Sequence, residues 1–178
     1  MSIPNLITLA RILAVPVILW AITSGEMRIA FALFLAAGLS DLVDGYLAKR
    51  FGMATELGAY LDPLADKAMI VSIYVALGIV EAMPRWLVIL VVSRDLLIVG
   101  GVIFSWLIDK PVSVKPHPVS KLNTAVQLVL VALVLAALGF GFYPGLWQTA
   151  TMAAVAALTL ASVAVYLREW VRHMGSAP

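Results

Sequence analysis

The chain has 178 residues, 63% of them hydrophobic and only 12% charged, with a net charge of +2 and a mean hydropathy of +1.04. A soluble domain carries about twice that charged fraction, so these values exclude a soluble globular protein and predict an integral membrane one. Twelve basic residues scattered along the chain exclude the basic stripe of a nucleic-acid binder, and the absence of cysteine excludes disulfides, thiolate metal sites and cysteine nucleophiles.

A spanning helix needs about 20 mainly apolar residues. Six stretches qualify, at 6–23, 29–47, 57–80, 86–108, 122–140 and 146–167, which predicts an all-α protein of six transmembrane helices forming one domain over residues 1–178. The first run has no basic residue before it and Arg11 within it, so it is expected to be retained rather than cleaved as a signal peptide. Ser24-Gly25-Glu26, Arg50-Phe51-Gly52, Glu81-Ala82-Met83-Pro84 and a proline-rich segment at 109–120 supply the breaks between helices. Lys49, Arg50, Lys110, Lys115, Lys121, Arg168 and Arg172 gather at one set of helix ends, with Arg28 and Arg85 at the other. Positive residues favour the cytoplasm, so both termini are expected there. Trp20, Trp86 and Trp147 then form an outer interfacial belt, and Trp106 and Trp170 an inner one.

The second and third helices each carry two carboxylates where none is expected: Asp41 and Asp44, then Asp62 and Asp66. A charge at that depth is costly and marks a functional site by default. Helical spacing puts Asp41, Asp44 and Ala48 on one face, and Gly58, Asp62 and Asp66 on one face of the next helix. The short link between the helices lets the two acidic faces meet. Four carboxylates in one volume stay ionised only beside compensating cations, and an all-oxygen donor set suits two magnesium or manganese ions. Such a pair can clamp a phosphoryl centre. Two other readings fit isolated acids: ion pairs with Lys49, Lys67 or Arg94 that hold the bundle together, and a small cation transporter or proton pathway.

Taken together, Asp41-Leu42-Val43-Asp44-Gly45-Tyr46-Leu47-Ala48-Lys49, followed by Gly58, Asp62 and Asp66, resembles the signature of the CDP-alcohol phosphotransferase family. One position departs from it, since Lys49, followed by Arg50, stands where the family usually has arginine. A lysine neutralises phosphate as a point charge but lacks the bidentate fork. Asn5-Leu6-Ile7-Thr8-Leu9-Ala10-Arg11 resembles the N-terminal motif of the branch that makes phosphatidylglycerol phosphate and cardiolipin; the alternative is that Asn5 caps the first helix and Arg11 snorkels to the headgroups.

The resemblance implies six transmembrane helices, a homodimer, and CDP-diacylglycerol as donor, bound by Gly45, Ala48, Lys49 and Gly58 with Asn5, Thr8 and Arg11 near the lipid headgroup. It implies Asp41, Asp44, Asp62 and Asp66 as metal ligands, with Asp66 also the catalytic base, and transfer of a phosphatidyl group with release of CMP.

Acceptor choice is expected to lie outside that motif. Ser93-Arg94-Asp95 falls within an apolar helix, where an arginine needs an anion, either a phosphate on the acceptor or a motif aspartate. Lys121, Asn123 and Gln127, at the start of the fifth helix, form with Lys115 and Ser120 a candidate anion-binding rim. These stretches are more similar to CMP-forming cardiolipin synthases than to phosphatidylglycerophosphate synthases, which usually carry a lysine where Asn123 stands. The expected acceptor is phosphatidylglycerol, with glycerol 3-phosphate as the alternative. His117 and His173 are expected to have no role, and Ser72 and Thr159 to bond within their own helices. The opening segment does not read as a mitochondrial targeting segment, so the expected location is a bacterial cytoplasmic membrane with the site facing the cytoplasm.

Overall fold

The computed structural model describes residues 3–51, 56–107 and 117–175, with side chains at 9–40, 67–101 and 117–172. Six helices follow one another, α1 (Ile3–Thr23), α2 (Met27–Phe51), α3 (Glu56–Ile79), α4 (Arg85–Leu107), α5 (Pro118–Phe140) and α6 (Leu146–Gly175), and no strand occurs among the described residues. In lipid every backbone polar group must be satisfied within the chain, which is why long apolar segments become helices. Residues 118–140 and 146–172 are long and apolar enough to cross a membrane, and shorter apolar helical stretches run over Leu9–Thr23, Met27–Ser40 and Lys67–Ile79. Large apolar side chains lie exposed on all six helices, including Trp20, Trp86 and Trp147 of the expected outer belt. That surface is consistent with a membrane protein.

Local chemistry ends the helices where the polar signals fall. The Thr23 hydroxyl donates to the carbonyls of Leu19 (2.9 Å) and Trp20 (3.1 Å), and Gly25, at φ +79°, reverses the chain into α2. The amides of Ser24 and Glu26 close that turn on Trp20 and Ala21. A positive φ costs a residue with a Cβ, which explains glycine at that position. Between α3 and α4 the left-handed position falls to Glu81, at φ 59°. α5 begins at Pro118, earlier than hydropathy suggests, because proline suits a first turn and the His117 carbonyl accepts from Ser120 and Lys121. α6 runs on through Arg168 and Arg172, whose charges end the apolar run without breaking the helix.

The helices fall into two compact units, one comprising Met1–Met83 with Val131–Pro144 and the other Pro84–Leu130 with Gly145–Pro178. In the first, α1 packs on α2 and α3 around Ile18, Ile22, Phe34, Ile73, Tyr74 and Leu77, joined by Val131 and Leu135 from the later half of α5. In a bilayer, where lipid is as apolar as leucine, such a core is held by close packing rather than by expulsion from water. In the second, α4 packs on α6, and the interior holds Leu87, Val91, Leu130 and Val155 beside a set of polar groups.

Candidate active site

The first unit carries every residue assigned by sequence to the donor and the metals. α2 is unbroken through Asp41, Asp44, Gly45, Ala48 and Lys49, and α3 through Gly58, Asp62 and Asp66, so each set keeps the helical register that puts it on one face. Both helices pack on α1, which bears Asn5, Thr8 and Arg11. The side chains of all these residues except Arg11 lie outside the described residues. Arg11 is 3% exposed and so turned into the protein rather than toward lipid. Among the described residues no three histidine, cysteine or acidic side chains form a metal-binding group. The four aspartates lie outside that set, and the chemistry of their oxygens fits a hard divalent cation.

The second unit carries the residues assigned to the acceptor, and here the side chains are on view. Arg94, 2% exposed on α4, is held from three directions. Nη1 donates to the carboxylate of Asp95, Nη2 to the hydroxyls of Ser120 and Ser162 (2.8 Å to the latter), and Nε to Ser162 at 3.2 Å. Its guanidinium carbon also lies 5.9 Å from the centre of the Tyr166 ring. Asn123 is wholly buried on α5, and its Oδ1 accepts from the hydroxyl of Thr159 on α6 at 3.1 Å. Its Nδ2 has no hydrogen-bond partner among the described residues. Gln127 is buried one turn further along. Ser120, Asn123, Thr124 and Gln127 recur at the spacing of one helix face, whereas Lys121 lies off that face and is exposed.

The structure thus brings Arg94, Asn123 and Gln127 into the interior of one unit and leaves Lys121 at its surface. Several expectations change. Ser93 is exposed, since each helical residue turns by about 100° and Arg94 and Asp95 already occupy the inner face. Among the described residues the anion beside Arg94 is the carboxylate of its own neighbour. Thr159 does not bond back to its helix as Ser40 and Thr151 do, but crosses to α5. Ser162 and Tyr166 were not singled out by sequence reasoning. The signal was present in the spacing of Thr159, Ser162 and Tyr166, which places a polar stripe on one face of an apolar helix.

Buried polar groups are costly in an apolar bundle, and six of them (Arg94, Asp95, Asn123, Gln127, Thr159 and Ser162) are concentrated in this unit. Packing alone does not require them. Among the described residues the arrangement offers oriented hydrogen-bond donors around Arg94, a cation already offset by the Asp95 carboxylate.

Comparison with known proteins bears on both units. The CDP-alcohol phosphatidyltransferase family profile matches residues 1–166. The CMP-forming cardiolipin synthase of Homo sapiens is 34% identical over 181 residues, covering 93% of this chain and 60% of that protein. The probable phosphatidylglycerophosphate synthase of Mycobacterium tuberculosis is 31% identical over 180 residues, 98% of this chain and 84% of that protein. The chloroplastic CDP-diacylglycerol–glycerol-3-phosphate 3-phosphatidyltransferase 1 of Oryza sativa is 38% identical over 159 residues, 79% of this chain and 48% of that protein. The chain spans 60% of the human relative's length and 32% of a Schizosaccharomyces pombe fusion protein's. With a profile match that takes in both units and the acidic motif of α2 and α3, the chain belongs to the CDP-alcohol phosphatidyltransferase family.

Proposed function

We propose that this protein transfers the phosphatidyl group of CDP-diacylglycerol to phosphatidylglycerol, forming cardiolipin and releasing CMP. The observation that carries the acceptor is the charge balance of the buried cluster. Among the described residues Arg94 is its one cation, Asp95 offsets it, Asn123 and Gln127 are neutral, and Lys121 stands outside at the surface. A site of this kind suits a phosphodiester with one negative charge better than a dianionic phosphate monoester. The printed names of the relatives include enzymes for both acceptors, so glycerol 3-phosphate is the second reading.

In this reading Asp41, Asp44, Asp62 and Asp66 would hold two magnesium or manganese ions, which when bound withdraw charge from the diphosphate and stabilise the charge that develops on transfer. Lys49 contacts the diphosphate as a point charge. The cytidine binds near Gly45, Ala48 and Gly58, where absent or small side chains leave room, and Asn5, Thr8 and Arg11 meet the donor's headgroup region. The acceptor hydroxyl gives its proton to the Asp66 carboxylate as its oxygen attacks the phosphorus that bears diacylglycerol. The bond from that phosphorus to the bridging oxygen breaks, and the electron pair leaves with CMP. Arg94, Asn123 and Gln127 bind and orient the acceptor, while Lys121 stays at the surface outside that cluster. The chain acts as a homodimer in a bacterial cytoplasmic membrane, with six spanning helices, both termini cytoplasmic and the site facing the cytoplasm.

The test is the identity of the lipid product. Purified protein in mixed micelles receives CDP-diacylglycerol with phosphatidylglycerol or with glycerol 3-phosphate, and the lipids are read by mass spectrometry. Cardiolipin is the expected product; phosphatidylglycerophosphate alone would keep the chemistry and overturn the acceptor.

A further inference from the structure

The hydroxyl of Thr159 and the amide of Asn123 are both wholly buried, on different helices, and they meet through a single hydrogen bond of 3.1 Å. Thr23, Ser40 and Thr151 show what a hydroxyl in these helices ordinarily does, each donating to a carbonyl within its own helix. Thr159 instead spends its proton on Asn123 Oδ1. That bond fixes which way the amide faces, and the donor end, Nδ2, is left buried with no partner among the described residues. An unspent buried donor costs free energy, and so is retained where a polar group comes to meet it. One turn along the same face of α6, Ser162 orients Arg94 in the same manner, with bonds to Nε and Nη2.

We propose that Thr159 is a positioning residue for the acceptor substrate: by holding Asn123 Oδ1 it aims the N–H groups of Nδ2 at an oxygen of the acceptor's phosphate. The inference rests on the reading of Asn123 as an acceptor-binding residue, and it assigns Thr159 a role in selecting and placing the acceptor rather than in donor binding or proton transfer.

Steady-state kinetics on the full chain in mixed micelles test it, with CDP-diacylglycerol and the acceptor varied in turn and phosphatidylglycerol and glycerol 3-phosphate run in parallel. Thr159→Val removes the hydroxyl at nearly constant volume, and is expected to raise the acceptor KM about fivefold, the worth of one buried hydrogen bond, while leaving the KM for CDP-diacylglycerol within about twofold. Thr159→Ser keeps the hydroxyl and restores the wild-type value. In an Asn123→Ala background, Thr159→Val has no further effect, because the group it orients is gone. Equal rises in both KM values, failure of serine to rescue, or an undiminished effect in the Asn123→Ala background would each overturn the positioning role. Should the valine variant not fold, Thr159→Ala is read in the same way. Failure of the underlying reading looks different: Asn123→Ala would then leave the KM of both acceptors unchanged, whereas a raised KM in Asn123→Ala with Thr159→Val silent overturns the role of Thr159 alone.

Discussion

Arg94 and Asp95 are neighbours in sequence, and successive residues on a helix do not ordinarily face each other. Here both are buried and the long arginine side chain folds back to the carboxylate, while Ser120 and Ser162 take its other donors. Removing one member of a buried pair strands the other charge and costs about 3–5 kcal/mol, whereas replacing both with apolar residues is often neutral. Arg94→Leu is therefore expected to destabilise the protein by about 3 kcal/mol in thermal unfolding in detergent. The double variant Arg94→Leu, Asp95→Leu should recover most of that stability without recovering activity. A double variant that regains activity would mean that the pair is only structural. From sequence, an arginine in an apolar helix signalled a buried anionic partner. That the partner is the next residue, and that Thr159 and Ser162 reach across to α4 and α5, depends on packing between helices distant in the chain, which no local pattern encodes.

At the scale of elements, the close of α5 shows how one glycine joins two helices. The Arg28 Nε donates to the Gly139 carbonyl at 2.7 Å, its guanidinium carbon lies 5.8 Å from the Phe140 ring centre, and Phe140 meets Phe31 edge to face at 5.7 Å. A cation here satisfies a carbonyl that the helix end leaves open and lies favourably at the negative end of its dipole. A Cβ on Gly139 would come within 3.2 Å of the Arg28 backbone. Gly139→Ala gains up to about 1 kcal/mol of helix propensity but forces the two helices apart, so a net loss of about 1–2 kcal/mol is expected. Gly38→Ala, with nothing within 4 Å, should be neutral or stabilising in the same unfolding assay. Equal effects at the two sites would contradict this account of the contact. The number and order of helices were legible because apolar runs separated by glycine, proline and charge are strong signals. Their ends were less so, because α5 starts on proline and α6 continues through charged residues, and hydropathy registers the bilayer rather than the hydrogen-bonded helix.

For the molecule as a whole, composition alone pointed to a membrane protein, and the exposed apolar side chains on every helix agree with it. The acidic motif on α2 and α3 carried the family, and the profile match over residues 1–166 bears it out in place of a cation transporter. Motif spacing was readable because it follows helical periodicity within single helices. The way Arg94, Ser120, Asn123, Thr159 and Ser162 come together was not, since their hydrogen bonds join α4, α5 and α6. The central claim is metal-dependent phosphatidyl transfer, and the most direct measurement is CMP release by the purified chain from CDP-diacylglycerol and phosphatidylglycerol. CMP should appear with magnesium or manganese, cease on chelation, return when the metal is restored, and fall by at least about a hundredfold in Asp66→Asn, the range expected for loss of a general base. CMP release that persists without divalent metal, or in Asp66→Asn at the wild-type rate, would contradict the account.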